Sequence, residues 1–312
     1  MMERVYVAGH NGLVGSAIIK RLCHENTEII TANKSDLDLR DQSEVRKFFK
    51  DQKPTQVYLA AAKVGGILAN DTKRADFLYD NVMIATNVIH SAYEYKCDRL
   101  LFLGSSCIYP KNSLQPMKEN YLLTGPLEQT NEPYAIAKIA GVKLVENYNR
   151  QYNTNFISVM PTNLYGPNDN FNLNNSHVLP AMIRRFHDAV KDNTKVVLWG
   201  DGSPRREFLY SEDCADACVF IMNNVNAHQV QGDIINIGCG YDISIMELAN
   251  MVKTLVGYDG EIIWDKSKPN GTFRKLQDIS ILSELGWNAK INLNEGLKRV
   301  YDWFIKNQSF LR

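Results

Sequence analysis

The sequence has no excess of charge: its 312 residues carry 35 Lys plus Arg against 35 Asp plus Glu, for a formal net charge of zero. A neutral chain offers no global field to attract nucleic acid or an anionic membrane. Any phosphate-bearing ligand must then be held by a few local cations and backbone amides. Cysteine is scattered rather than clustered. The six (Cys23, Cys97, Cys107, Cys214, Cys218, Cys239) form no CxxC pair, and a chain this long needs no disulfide staples. Cys214 and Cys218 stand four apart, but no His or Cys cluster completes a zinc site, so ordinary buried thiols and no metal are expected. No stretch approaches the roughly 20 apolar residues of a membrane span. The opening MMERVYVAGHNG enters a strand pattern without a signal-like apolar run, which makes the cytoplasm the expected compartment. Internal repeats and low-complexity tracts are also missing.

What is present is an alternation of short β-branched or apolar runs with amphipathic stretches. Strands are expected at Val5 to Ala8, Glu28 to Thr31, Gln56 to Ala60, Arg99 to Leu103 and Phe156 to Met160. Helices are expected between them at Gly15 to His24, Ser43 to Lys50, Asp76 to Tyr95 and Tyr134 to Gln151. That order predicts an α/β fold, a doubly wound parallel sheet with helices on both faces. After Pro161 the texture changes. Asn163 to Ser176 is rich in Asn, Gly and Pro and reads as loop, and the elements beyond it are shorter. The reading is a nucleotide-binding domain over 1–162, possibly rejoined by a segment near 207–240. A smaller, mainly substrate-binding α/β domain over 163–312 follows.

Gly9, Gly12 and Gly15 form G-x-x-G-x-x-G between the first expected strand and helix. Glycines there let the backbone turn tightly and approach a pyrophosphate, whose charge the free amides and helix dipole bind. This is the fingerprint of a Rossmann-type dinucleotide site. An NAD site wants a carboxylate where the second strand ends, to accept from the ribose 2′-hydroxyl. Thr31-Ala32-Asn33-Lys34 has none before Asp36. Lys34 instead suits a 2′-phosphate, which favours NADP(H), unless it is simply a solvated loop charge. Asp38 is a candidate for the adenine amino group or an ordinary turn residue.

Tyr134 and Lys138 are four apart, on one helix face. A phenol has pKa about 10, and a neighbouring cation is expected to bring it toward working pH. Ser105 follows the Arg99 to Leu103 strand and is placed to share a carbonyl oxygen with Tyr134. Glycine triplet, Ser, Tyr and Lys in this order resemble the extended short-chain dehydrogenase/reductase family. The runs GSSCIYPK, NEPYAIAKIAG, PTNLYGPNDNF and NNSHVLPA resemble its GDP-keto-sugar epimerase-reductases more closely, nearly end to end.

The resemblance implies that GDP-4-keto-6-deoxy-D-mannose is epimerised at C3 and C5, then reduced at C4 by NADPH to GDP-L-fucose. Both carbons lie α to the C4 ketone, so polarising one carbonyl acidifies both C–H bonds. Each inversion needs a base on one face and an acid on the other, and the resemblance gives these roles to Cys107 and His177. Read alone, Cys107 is as well a small buried residue and His177 a surface or capping one. Tyr134 would protonate the C4 oxygen, with Ser105 as its oxyanion partner, and Lys138 would hold the nicotinamide ribose. The resemblance assigns Asn11, Leu13, Val14, Leu59, Ala60, Ala61, Pro161, Asn163, Leu164 and His177 to the cofactor. It assigns Arg206 and Lys275 to the GDP pyrophosphate, and Arg185, Asn163, Val178, Trp199 and Asn270 to the substrate, although Trp199 also suits a core. Two positions depart from the pattern: Asn11 replaces an Arg near the 2′-phosphate, and Asn270 replaces an Asp near the substrate. A homodimer through the helices around Asn81 to Tyr95 and Tyr134 to Tyr148 is also implied. A 4-epimerase would need no base at C3 or C5, a 4,6-dehydratase would want an Asp-Glu pair near Ser106-Cys107, and a non-catalytic NADPH sensor would not need the Tyr-Lys pair.

Overall fold

The computed structural model describes residues 2–173, 176–268 and 270–308. Its centre is a six-stranded parallel sheet. From edge to edge the strands are Ile234–Ile237, Phe156–Pro161, Arg99–Leu103, Gln56–Leu59, Glu3–Ala8 and Thr27–Ile30. All six pair in parallel. Successive side chains of the inner strands enter opposite cores, as a sheet covered on both faces requires. Val5 and Val7 pack with Leu101, Leu103, Ile157 and Cys218 on one side, while Tyr6 and Ala8 pack with Val57, Leu59, Phe102 and Phe156 on the other.

The first face is covered by helices Leu13–Leu22 and Ser211–Asn224, joined by the ion pairs Lys20–Glu212 at 2.5 Å and Arg21–Asp216 at 2.9 Å. The other face carries helices Gln42–Gln52, Arg74–Glu94 and Glu132–Tyr152. The strand order reverses between Glu3–Ala8 and Gln56–Leu59. Chain connections there leave in opposite directions, and ligands of such sheets bind in the crevice that opens.

A third core, around Phe171, Met182, Phe186, Leu248 and Phe304, holds the second half together. It is built on helices Val178–Asp192, Ile245–Val256 and Leu293–Lys306. Ser244 and Glu247 form a capping box on the second of these, and Gly257 ends it at φ 75°, both strong boundary signals. One expectation needs correction. The segment read as loop from Asn163 begins with a strand, Asn163–Tyr165, paired in parallel with Phe208–Tyr210; tertiary pairing overrides its Asn- and Gly-rich texture. Asn174 and Asn175 of the same segment lie outside the described residues. The stretch before the long fourth helix also contains a helix, Ile67–Thr72.

Candidate active site

A cavity of about 1320 Å³ runs from the glycine turn, across the carboxyl ends of the sheet, to the second half. That exceeds the roughly 300–1,000 Å³ of a single-ligand pocket, and its lining has three chemically distinct parts.

At one end, Gly9 turns with φ 84°, and a Cβ there would stand 2.7 Å from the Ala61 backbone. A Cβ on Gly15 would stand 2.1 Å from the Gly9 carbonyl oxygen. Gly12 precedes helix Leu13–Leu22 with no side-chain cap, so the first helical amides are open to an anion. The cradle therefore fits a dinucleotide pyrophosphate. Asn11, Leu13, Val14, Lys34, Asp38, Ala60, Ala61, Pro161, Asn163, Leu164 and His177 also line the cavity. Leu59 does not: its side chain is fully buried in the sheet core, because side chains alternate along a strand and this one faces the helices.

Lys34 is exposed at the cavity edge, beside Asn33, which accepts from Asn11 Nδ2 at 3.1 Å. Asp36 is engaged by Asn33 and Ser35 and is not part of the lining. Asp38 grips Arg40 through both oxygens, and this pairing holds its carboxyl down at about 2. Arg40 also reaches Asp80, which in turn takes Lys63 at 2.8 Å. Arg40 and Lys63 line the cavity and were not legible as site residues, since only folding brings helix Arg74–Glu94 beside them.

In the middle stand Ser105, Cys107, Tyr134 and Lys138. Ser105 caps the short turn Ser106–Ile108 by accepting from the Cys107 amide, which fixes the thiol next to the cavity. Tyr134 packs edge-on against Phe77, with centroids 6.4 Å apart. Lys138 is buried, donates to the Leu103 carbonyl at 2.6 Å, and lies 5.6 Å from the Tyr134 ring centroid. The expected lowering of the phenol is not found. Burial pushes Tyr134 upward, and burial likewise brings Lys138 down to about 8. Desolvation acts on both members of the pair and sets the direction of both shifts.

Burial also raises the Cys107 thiol, opposed by Ser105 and by the charges of Lys275 and Lys138. His177 occupies the position before helix Val178–Asp192 without capping it by its side chain. Its ring is open to the cavity yet walled by protein, and this desolvation lowers its pKa. In both residues burial favours the neutral form, thiol and imidazole.

At the far end, Arg206 and Lys275 are direct neighbours on adjacent parallel strands, Arg205–Arg206 and Arg274–Lys275. Like charges in register repel, and burial lowers both pKa values. No carboxylate pairs with either among the described residues. Such a pair is suited to an anion between its heads. Arg185, Val178, Asn163 and Trp199 line the same region. Trp199 is 51% exposed, which removes the core reading. Asn163 Nδ2 donates to the Glu207 carbonyl at 2.8 Å. Asn270 accepts from the Asp201 amide at 2.9 Å, so it shapes the Gly200–Asp201 turn as well as the cavity wall. Asp169 was also missed. It lines the cavity with one buried oxygen unpartnered, and burial raises it to about 7.

This arrangement joins a dinucleotide cradle, a Ser-Tyr-Lys centre and a two-cation anion site. The chain matches the NAD dependent epimerase/dehydratase family over residues 5–238 and belongs to that family. Within it, the GDP-L-fucose synthase of Sinorhizobium fredii is 54% identical over 98% of this chain and 96% of its own. That of Escherichia coli is 52% identical over 99% of each chain. Among solved structures, MlghC, a GDP-mannoheptose C4 reductase from Campylobacter jejuni with NADP bound, is 39% identical. It matches with a TM-score of 0.90 over 97% of this chain and 98% of that one.

Proposed function

We propose that the protein converts GDP-4-keto-6-deoxy-D-mannose to GDP-L-fucose, by epimerisation at C3 and C5 and NADPH-dependent reduction at C4. The observation that carries this reading is the presence of Cys107 and His177 on the wall of the same cavity as Ser105, Tyr134 and Lys138. A reductase alone needs only the last three. Likeness over the full length to GDP-L-fucose synthases supports the same substrate.

In this reading Ser105 and Tyr134 hold the C4 oxygen and draw charge from the ring. Cys107 and His177 then carry a proton away from, and return one to, each neighbouring carbon. Bound NADPH supplies the hydride for C4, and Tyr134 gives the C4 oxygen its proton. Lys138 orients the cofactor ribose beside it. Arg206 and Lys275 take the diphosphate, with Arg185 and Trp199 completing the nucleotide end. Residues 1–162 with the segment near 207–240 serve the cofactor, and the remainder mainly serves the sugar nucleotide.

The exposed side of helices Arg74–Glu94 and Glu132–Tyr152 carries Tyr93 and Tyr152, stacked at 4.3 Å, with Tyr148 bonded to His90. Such an aromatic patch supports a homodimer formed through these helices. The reaction needs Cys107 as a reduced thiol, which supports the cytoplasm as compartment. The deciding experiment is turnover of the keto-sugar with NADPH in D₂O and NMR of the product. Deuterium at C3 and C5 with inverted configuration supports the reading. Reduction without exchange makes the protein a C4 reductase, like its Campylobacter neighbour.

A further inference from the structure

We infer that Glu207, which is not part of the cavity lining, is the positioning residue that sets Arg206 and Lys275 for a nucleoside diphosphate. The inference rests on the reading that these two cations hold that group. Glu207 is 0% exposed, and no cation pairs with it among the described residues. Its carboxylate is held by backbone amides instead. One oxygen accepts from Cys239 at 2.7 Å and Gly240 at 2.8 Å, and the other accepts from Gln277 at 3.0 Å. Its own amide donates to the Lys275 carbonyl at 3.3 Å. Glu207 therefore grips the Lys275 segment from two sides, while its chain neighbour Arg206 faces the cavity. Its carbonyl also accepts from Asn163 Nδ2 at 2.8 Å and from Thr162 Oγ1.

Four cavity residues from three parts of the chain are thus referenced to one buried carboxylate residue. The network continues inward. Gln277 Nε2 donates to Asn236 Oδ1 at 3.0 Å, which also accepts from Tyr109 at 2.5 Å, two residues after Cys107. A buried charge retained without a counter-ion is costly unless its hydrogen bonds are complete. Here three amides oppose the burial, which still raises the Glu207 carboxyl, and that cost is placed beside two cations that must be kept in register. None of these contacts reaches the glycine turn at the opposite end.

Two variants disturb the carboxylate in different ways. Glu207→Gln keeps the shape but turns an N–H donor toward either the Gln277 amide or the Cys239 and Gly240 amides. Gly238→Ala leaves the charge and pushes it, because a Cβ there would lie 2.3 Å from a Glu207 oxygen. In calorimetric titrations with GDP, each folded variant should bind about tenfold more weakly, the scale of one lost charge-assisted bond. NADPH affinity, read by fluorescence on the same samples, should stay within about twofold. KM for the GDP-sugar should rise more than kcat falls. Retained GDP affinity in either folded variant overturns the inference. So does parallel loss of NADPH binding, or failure of both variants to fold, since Glu207 would then serve the fold as a whole. Wild-type protein that binds no GDP would instead refute the underlying assignment of the two cations.

Discussion

Replacing Cys107 by serine separates inversion from reduction. The substitution is nearly isosteric at a site only 7% exposed, and Ser105 can still accept from the residue 107 amide. The shape of the site should therefore be kept, with the new hydroxyl within reach of the Ser105 side chain that partners the thiol. Proton chemistry should suffer far more. The thiol, raised by burial, keeps Lys275 and Lys138 as favourable charges for its ionised form, whereas a serine hydroxyl has no accessible anion near neutrality. Loss of one acid-base group typically costs about 10²–10⁴ in rate. The position of Lys138 is kept, because it is anchored on the Leu103 carbonyl and not on residue 107. The assay is deuterium incorporation at C3 and C5 in D₂O, followed by NMR, with NADPH oxidation measured in parallel. The expected result is exchange suppressed by at least about 10², with residual product being the un-epimerised C4-reduced sugar. Exchange and inversion at wild-type rates would show that the thiol is only a packing group.

Tyr134→Phe should lower NADPH oxidation by about 10²–10⁴ while leaving cofactor affinity close to wild type; undiminished turnover would remove the phenol from the reaction. Lys34→Asp should narrow or reverse the NADPH-over-NADH ratio of kcat/KM, because it sets a carboxylate where the 2′-phosphate is expected. An unmoved ratio would make Lys34 a bystander. The lowered Lys138 predicts a pH effect: its ammonium form is lost as pH rises through about 8. Reduction should then decline on that side, a decline that Lys138→Arg should shift upward. A flat profile to pH 10 would refute a role for its charge.

Local requirements were the legible ones. Gly9 and Gly15 announce themselves because a single Cβ would strike the next turn of chain, and Tyr134 and Lys138 because helical spacing alone puts them together. The sheet likewise followed from alternating strands and helices. What depended on partners distant in the chain was not legible from residues alone. Nothing in Arg206 or Lys275 says that their strands pair in register, so only the family resemblance singled them out. Glu207 reads as one more solvated acid beside two arginines until the fold buries it. The strand at Asn163 owes its form to Phe208–Tyr210 rather than to its own residues. The direction of the Tyr134 shift was misjudged because spacing reveals a neighbour but not how much water is excluded around both.

The sheet's outer strand Ile234–Ile237 is hydrogen bonded to Phe156–Pro161, and helix Ser211–Asn224 covers one of its faces. As the chain leaves the ribosome, the dinucleotide half must therefore wait. When residues 1–162 have emerged, Phe156–Pro161 is an unprotected edge beside a partly uncovered apolar face, a template for pairing with another chain. At a synthesis rate of about 5–20 residues per second, the missing helix and strand arrive several seconds later. The nascent protein's vulnerable interval thus lies in the middle of translation, and strong pausing between those two points should send more of it to chaperones or aggregates than pausing anywhere after residue 237.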